Sequence, residues 1–140
     1  MPAPVSFDYA ALRVVPRVER EEFVNAGVIL FCSERDWLDA RVRLDGDKVR
    51  ALDPAADLVA IEQHLNGVPR LCAGDPDAGP IARLSRRERF HWLVAPRSTM
   101  IQPGPVHSGL CEDPEAALAK LFERLVGGST GSSASRPRQT

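Results

Sequence analysis

Hydrophobic residues are arranged along the first third of the chain in a pattern that predicts three strands. Residues 7–15 are rich in strand-forming side chains and end at Pro16, which has no N–H to donate to a sheet. Residues 23–32 form the most apolar stretch, which is typical of a central strand buried on both faces. Residues 37–44 alternate apolar and polar side chains, as in a strand with one exposed face. We therefore expect a three-stranded antiparallel meander over about residues 7–44.

Two residues near the start of the central strand predict an irregularity. Asn25 and Gly27 interrupt the apolar run, and glycine inside a strand often marks a β-bulge or a place where two backbones come close. Arg13 is similarly unexpected in the first strand. A charged side chain in a mostly apolar strand must lie at an exposed end or find an acidic partner.

Three N-terminal capping signals predict three main helices in the rest of the chain. Each is an Asp or Ser followed by proline, or by glutamate three residues later. The N-cap residues are Asp53, Ser85 and Asp113. We expect the first helix to end at Gly67 and the second to stop before Pro96.

A fourth strand is predicted over about residues 97–102, between the second and third helices. The run Pro103-Gly104-Pro105 should end it. Strands followed mostly by helices indicate an α+β fold, with the three helices packed on one face of an antiparallel sheet. We expect a single domain over residues 1–126. Residues 127–140 are rich in Gly and Ser and poor in apolar side chains, which predicts a disordered tail.

Charge and composition exclude several classes of partner. The formal net charge of −1 gives no reason to expect nucleic acid or an anionic membrane. The arginine cluster over residues 83–89 is interrupted by Glu88 and reads as a solvated helix face. The N-terminus has no signal-peptide pattern, and three widely spaced cysteines without a CxxC motif fit a reducing compartment. We therefore expect a cytoplasmic protein that binds neither nucleic acid nor membrane.

No motif in the chain supplies a complete catalytic or metal-binding set. A P-loop, a GxGxxG sequence and a GxSxG elbow are missing, and no two of the His and Cys residues stand at zinc-ligand spacing. We therefore predict no cofactor, no metal and no catalytic residue. One alternative is a nucleophilic Cys111 near a helix N-terminus, with His107 as its base. The neighbouring Glu112 and Asp113 oppose thiolate formation, which favours a structural cysteine.

Polar side chains lie close together between Arg89 and Asp113, whereas in the rest of the chain they are scattered. An arginine and a histidine there could grip a phosphate or carboxylate, while serine and glutamine supply neutral hydrogen bonds. The competing interpretation is that these groups satisfy the backbone of an irregular, proline-rich loop. The residues are Arg97, Ser98, Gln102, His107 and Ser108.

Several of these residues belong to longer motifs that resemble a known family. The segment ERFHWLVAPRSTMIQPGPVHSGLCEDPEAALAKLF over residues 88–122, the run EFVNAGV from Glu22 to Val28, and Arg13 resemble a bacterial family known as domain of unknown function 3037. The resemblance extends from Tyr9 to about Val126. It implies a small cytosolic protein with no assigned activity. It also implies an association with a HipA-like kinase, beside which such proteins are encoded, and therefore a protein partner.

The resemblance further implies that Arg13, Glu22, Asn25, Arg97, Ser98 and Gln102 form a recurring set. If the fourth strand pairs with the meander, Arg13, Glu22 and Arg97 would meet in one charged network, with Arg97 and Glu22 as a buried ion pair. The preferred hypothesis is a non-enzymatic protein-interaction module. The alternative is a small enzyme or binding protein for a phosphorylated or carboxylate ligand. In it Arg13, Arg97 and His107 would hold the anion and Glu22 would act as general base.

Overall fold

The computed structural model describes residues 3–127, which contain five strands, four α-helices and three short 3₁₀ turns. The strands are β1 (Val5–Val14), β2 (Val24–Cys32), β3 (Trp37–Val42), β4 (Ile101–Pro103) and β5 (His107–Cys111). The helices are α1 (Gly46–Leu52), α2 (Leu58–Ala73), α3 (Arg86–Leu93) and α4 (Pro114–Leu125). The 3₁₀ turns are Val18–Arg20, Pro76–Ala78 and Pro80–Arg83.

All five strands belong to one antiparallel sheet, so the α+β class and the meander are confirmed. The order is β3-β2-β1, and β4 and β5 share the remaining edge of β1. β4 pairs with Leu12–Val14 and β5 pairs with Val5–Tyr9. The two short strands therefore act as one interrupted edge strand. The backbone N–H of Gly104, in the connector between them, donates to the carbonyl of Ala11 at 2.8 Å and keeps the connector attached to β1.

The predicted fourth strand is shifted in the structure. Only Ile101–Pro103 pairs as β4, and the chain from Arg97 to Met100 is irregular. Local hydrogen bonds hold this bend, because Thr99 Oγ1 donates to the Ile101 carbonyl and Gln102 Nε2 donates to the Thr99 carbonyl, both at 2.8 Å. The Pro/Gly run ends β4 at Pro103, as expected, and is followed by β5, which the sequence did not predict.

The irregularity predicted in β2 is confirmed as a bulge. Leu12 pairs with Gly27 and Arg13 pairs with Asn25, so Ala26 has no counterpart on β1. A Cβ atom at Gly27 would lie 2.7 Å from the Arg41 carbonyl oxygen, which explains why glycine is needed there. The extra residue reverses the alternation of side chains, so that Asn25 lies on the same face of the sheet as Arg13.

The helices depart from the sequence predictions at three places. α1 was not predicted, although Asp45 caps it by accepting from the backbone N–H of Lys48 at 3.2 Å. The predicted N-cap Asp53 is wrong, because Asp53 lies at the C-terminal end of α1, and α2 begins after the N-cap Asp57 and continues through Gly67 to Ala73. The predicted end at Gly67 is wrong because Val68 and Cys72 extend the buried stripe of the helix. The capping box at Ser85 and the N-cap at Asp113 are as predicted.

Helices cover both faces of the sheet, whereas the sequence led us to expect one. On one face, α2 and α3 pack on Ile29 and Phe31 of β2, with Phe90 at the centre of the contact. On the other face, α4 packs through Leu118 on Val28 and its neighbours. A strand that is apolar on both faces, as β2 was predicted to be, requires a covering layer on each side.

The described residues bear on two further expectations. Gly127 is the last of them, so the predicted disorder of residues 127–140 lies, from residue 128 onwards, outside the described part of the chain. Within residues 3–127, no helix combines the length and the apolar character needed to cross a bilayer.

Candidate functional site

A groove on the α4 face of the sheet contains most of the polar residues that the sequence singled out. Its floor is formed by Tyr9, Ala11 and Arg13 of β1, whose side chains point to the same face because side chains alternate along a strand. The half towards β5 has a volume of about 210 Å³ and the half towards β4 about 290 Å³. The two cavities share Arg13 and Phe23 in their linings, and we call them together the Arg13 groove. The first half is lined by Tyr9, Ala11, Arg13, Phe23, Asn25, Pro105, His107 and Leu125. The second is lined by Arg13, Val15, Val18, Glu21, Phe23, Ser98 and Gln102.

Arg13 lies at the junction of the two halves, and contacts on two sides hold its guanidinium there. Its guanidinium carbon is 4.1 Å from the centre of the Phe23 ring, a cation–π distance. A Cβ atom at Gly104 would lie 3.1 Å from the same carbon, so the backbone of the β4–β5 connector presses against the guanidinium. No ion pair within residues 3–127 includes Arg13, and its Nε is buried without a hydrogen-bond partner.

Asn25 stands beside Arg13 on the neighbouring strand. Its Nδ2 donates to the Leu125 carbonyl at the end of α4 at 3.1 Å, which fixes the orientation of the amide. The other end of the amide, Oδ1, is buried without a hydrogen-bond partner. An unpaired buried donor and an unpaired buried acceptor therefore lie on paired residues of β1 and β2.

The remaining polar residues of the groove are more loosely placed. His107 lies across the strand pair from Tyr9, and their ring centres are 5.5 Å apart. Gln102 pairs with Arg13 across β1 and β4 and uses its amide in the local bond to Thr99. Ser98 lines the second half. Ser108 lies on the opposite face, where it donates to Asp8 at 2.7 Å.

The predicted pair of Arg97 and Glu22 is wrong. The Glu22 carboxylate is exposed and lies 3.0 Å from Arg20 Nε. The guanidinium of Arg97 donates to the carbonyls of Trp92 and Ala95 and stacks on the Trp92 ring at 4.6 Å. These hydrogen bonds satisfy carbonyls at the end of α3, where a cation is also favoured. The guanidinium therefore does not require an acidic partner.

The anion site proposed from Arg13, Arg97 and His107 is therefore not assembled. Arg97 lines a separate cavity of about 450 Å³ against α2, on the other side of the sheet from His107. Glu22, the proposed general base, lines neither half of the Arg13 groove. The charged network that was expected to join Arg13, Glu22 and Arg97 is absent from residues 3–127.

Arg89 is a structural arginine that sequence reasoning missed. It is 7% exposed, and its terminal nitrogens donate to the carbonyls of Ala82 at 3.0 Å, Leu84 at 2.9 Å and Cys72 at 3.3 Å. The side chain thus joins α3 to the end of α2 and to the 3₁₀ turn between them. One signal was available: Arg89 is four residues before Leu93, on the buried side of α3.

The cysteine alternative is not supported by the structure. Burial raises the pKa of the Cys111 thiol, and the nearby Cys32 raises it further, which opposes a thiolate nucleophile at neutral pH. Burial also raises the pKa of Cys72 to about 12, with the charge of Asp39 acting in the same direction. In the described part of the chain, no cluster of three His, Cys, Asp or Glu residues could hold a metal ion.

The fold and the groove define a small α+β protein whose antiparallel sheet is covered by helices on both faces and carries an open polar groove beside one edge. The chain belongs to the family described as "Protein of unknown function (DUF3037)", which it matches over residues 9–126. This confirms the family that the sequence motifs indicated. None of the curated proteins and none of the solved structures compared with the chain matches it.

Proposed function

We propose that this protein is a non-enzymatic interaction module that binds a protein partner through the Arg13 groove. The observation that carries the proposal is the state of Arg13. Its guanidinium is positioned by Phe23 and Gly104, faces an open groove and is paired with no acid of residues 3–127. A positioned, unpaired arginine stacked on an aromatic ring is the kind of residue that dominates the binding energy of protein interfaces.

The surroundings of the groove support a protein rather than a metabolite as partner. Phe23 is 45% exposed and lines both halves, and Val106 in the β4–β5 connector is also 45% exposed. Exposed apolar side chains next to polar groups are typical of docking surfaces. The outer edge of β4 and β5 pairs with no other strand of the described chain, so an extended segment of a partner could add to it.

The first partner to test is a HipA-like kinase, which the family resemblance suggests. We place the complex in the bacterial cytoplasm, a compartment compatible with the free thiols of Cys32, Cys72 and Cys111. Chemistry on a bound substrate forms no part of the proposal, because His107 and Glu21, the residues of the groove that could act as a general base, line opposite halves of it and neither is paired there with a nucleophile.

Co-elution of the two proteins in size-exclusion chromatography at micromolar concentration tests the proposal. We expect a complex with the wild-type protein and its loss in Arg13→Glu, which reverses the charge in the groove. Arg87→Glu is the matched control, because Arg87 also lies over a phenylalanine ring, at 5.6 Å, but on the opposite face of the sheet. Failure of the wild-type pair to co-elute, or equal loss in both variants, would count against the proposal.

A second candidate is a binding protein for a small carboxylate or phosphorylated ligand. It is favoured by Arg13 and His107 lining the same cavity of about 210 Å³. A thermal-shift screen of carboxylates, phosphates and nucleotides tests it, because a ligand that binds only the folded state raises the melting temperature. A shift that is lost in Arg13→Glu would favour this candidate, and no shift at millimolar ligand would remove it.

A further inference from the structure

The cavity that Arg97 lines, on the α2 face of the sheet, shares no residue with the Arg13 groove. Four segments of the chain line it, namely α2, the turn Pro76–Ala78, the last residues of α3 and the bend from Arg97 to Ile101. We call it the Trp92 cavity. Its volume of about 450 Å³ falls within the range of small-molecule sites, roughly 300–1,000 Å³.

The floor of the Trp92 cavity is apolar because it reaches the hydrophobic core. Val68 and Leu93 belong to the core cluster beneath α2 and α3, and Leu71 packs against that cluster. A water molecule would gain no hydrogen bond from these side chains. Gln63 and Thr99 add polar groups to the lining. An apolar floor with a few polar groups around it is the usual lining of a ligand pocket.

Gly67 lines this cavity, and nothing in the fold explains why it is a glycine. It lies in the interior of α2, where glycine is less favourable than alanine. A Cβ atom at this position would have nothing within 4 Å, so close packing does not require glycine either. Glycine also allows a ligand to approach the backbone closely. The open space beside Gly67 is therefore a place where a bound molecule could lie against α2.

Trp92 and Arg97 supply the cavity with a positioned charged donor. The Trp92 side chain is 41% exposed, and the guanidinium carbon of Arg97 lies 4.6 Å from the centre of its ring. Two of the Arg97 nitrogens, Nε and Nη2, donate to the carbonyls of Ala95 and Trp92 and so fix the guanidinium. Nη1 has no hydrogen bond within residues 3–127 and, unlike Arg13 Nε, it is accessible to solvent. A ligand can therefore reach this donor without any rearrangement of the side chain.

The charges in the lining favour a ligand with one negative charge. Besides Arg97, the lining includes Arg70, Asp77 and His64. Arg70 Nε lies 2.9 Å from the carboxylate of Asp75, so the charge of Arg70 is already compensated. Asp77 opposes a second negative charge, such as that of a phosphate dianion, and Arg97 opposes a cation. A single carboxylate on an apolar body matches this lining.

We propose that the Trp92 cavity binds a small aromatic carboxylate. Its ring packs on Val68, Leu71 and Leu93 beside Trp92, and its carboxylate accepts from Arg97 Nη1. An aromatic ring is favoured over an alkyl chain because it can also pair with the Trp92 ring. The protein thus has two separate surfaces, one for a small ligand and one for its protein partner.

The two tryptophans allow the binding to be measured by NMR on the ¹⁵N-labelled full chain. Trp92 lines the cavity, whereas Trp37 lies in β3 outside it and serves as the internal reference. The probes are naphthalene-2-carboxylate, naphthalene-2-carboxamide, which lacks the charge, and acetate, which lacks the ring. We expect the first to shift only the Trp92 indole N–H signal, with a dissociation constant on the order of millimolar. The other two should bind at least about tenfold more weakly.

Gly67→Leu tests the location of the site without weakening the fold. The leucine side chain enters the open space beside the helix, so we expect the Trp92 shift to be lost. The melting temperature should not fall, because leucine is the better helix former. Asn66→Leu is the matched control, since Asn66 is an exposed residue of α2 outside the lining, and it should bind like wild type. Unchanged binding in Gly67→Leu would overturn the site.

Arg97→Gln tests the charge, because it removes the guanidinium and keeps an amide donor. We expect this variant to bind naphthalene-2-carboxylate and naphthalene-2-carboxamide equally, whereas a merely structural role would weaken both probes alike and keep their difference. Equal binding of the two probes to the wild-type protein would overturn the role of Arg97. Equal shifts of Trp37 and Trp92, or no shift at tens of millimolar probe, would overturn the cavity as the site.

Two cross-tests separate the Trp92 cavity from the Arg13 groove. Arg13→Glu should bind naphthalene-2-carboxylate like wild type, and Gly67→Leu should co-elute with the protein partner like wild type. Loss of the Trp92 shift in Arg13→Glu would place the ligand in the Arg13 groove and overturn the inference. Loss of co-elution in Gly67→Leu but not in Asn66→Leu would assign the cavity to the protein partner and overturn it as well.

Discussion

Arg89 and Arg13 are two arginines close to the interior of the same small protein, and their surroundings differ in one respect. Arg89 is 7% exposed and donates to three backbone carbonyls near the end of α2 and the end of a 3₁₀ turn. Arg13 lies against a ring and a glycine backbone and belongs to no ion pair within residues 3–127. Arg89 connects parts of the fold, whereas Arg13 faces a groove.

The comparison also shows which observation distinguishes a site from a scaffold. The Nε atoms of both arginines are buried without partners, so an unpaired Nε by itself marks neither role. The terminal nitrogens make the difference, because those of Arg89 donate to three backbone carbonyls, whereas no hydrogen bond within residues 3–127 involves those of Arg13. Chemical complementarity to a ligand is therefore available at Arg13 and not at Arg89.

The largest effect is expected for Arg89→Met, which keeps most of the length and removes the charge. Three carbonyls around Cys72 and Ala82 lose their donor, and we expect the free energy of unfolding to fall by about 3 kcal/mol or more. Urea denaturation measures this. The control is Arg83→Met, an exposed position in the preceding turn, for which we expect a change within about 0.5 kcal/mol. A loss below 1 kcal/mol at Arg89 would mean that water satisfies the carbonyls, against the role assigned here.

Gly27→Ala should have the next largest effect, because it acts on the bulge that places Asn25 beside Arg13. The new Cβ would meet the Arg41 carbonyl at 2.7 Å, a backbone atom that cannot move alone, and we expect a loss of about 2 kcal/mol. Gly67→Ala is the matched control. Nothing lies within 4 Å of its Cβ position inside α2, so the same change should stabilise the protein by about 0.5–1 kcal/mol. A neutral Gly27→Ala would show that β2 can rearrange there.

A smaller effect is expected for Arg97→Ala. Its bonds to the carbonyls at the end of α3 are partly exposed to solvent, so we expect a loss of about 1 kcal/mol. Glu22→Gln should change the stability by less than about 0.5 kcal/mol, because the carboxylate forms only a surface pair with Arg20. The double variant should be additive in urea denaturation. A coupling energy above 1 kcal/mol would restore the buried pair that the structure excludes.

The strands and the bulge could be predicted from the sequence because their signals are local. An apolar run over residues 23–32 belongs in the middle of a sheet, and a glycine inside it marks a close approach. The short edge strand β5 could not be predicted in this way. Its residues, HSGLC, show neither alternation nor strand-forming composition, and only the long first strand gives them a partner. The end of α2 was mispredicted because the buried stripe outweighs a helix-breaking glycine.

The candidate site was only partly predictable for a related reason. The resemblance and the polar pattern singled out the residues that lie along the groove, which are Arg13, Asn25, Ser98, Gln102 and His107. The pairing of Arg97 with Glu22 failed because an arginine can be satisfied by backbone carbonyls, which every sequence contains. Sequence patterns reveal acids but not the orientation of carbonyls at a helix end. Arg89 was missed for the same reason.

The role of Arg13 in recognition rather than in stability can be tested directly. The same substitution used at Arg89, Arg13→Met, tests this by urea denaturation. The variant loses a cation–π contact of about 0.5–1 kcal/mol but also loses a buried nitrogen without a partner, so we expect the free energy of unfolding to stay within about 1 kcal/mol of wild type. A loss of about 3 kcal/mol, equal to that expected for Arg89→Met, would make Arg13 a second structural arginine and contradict the proposed site.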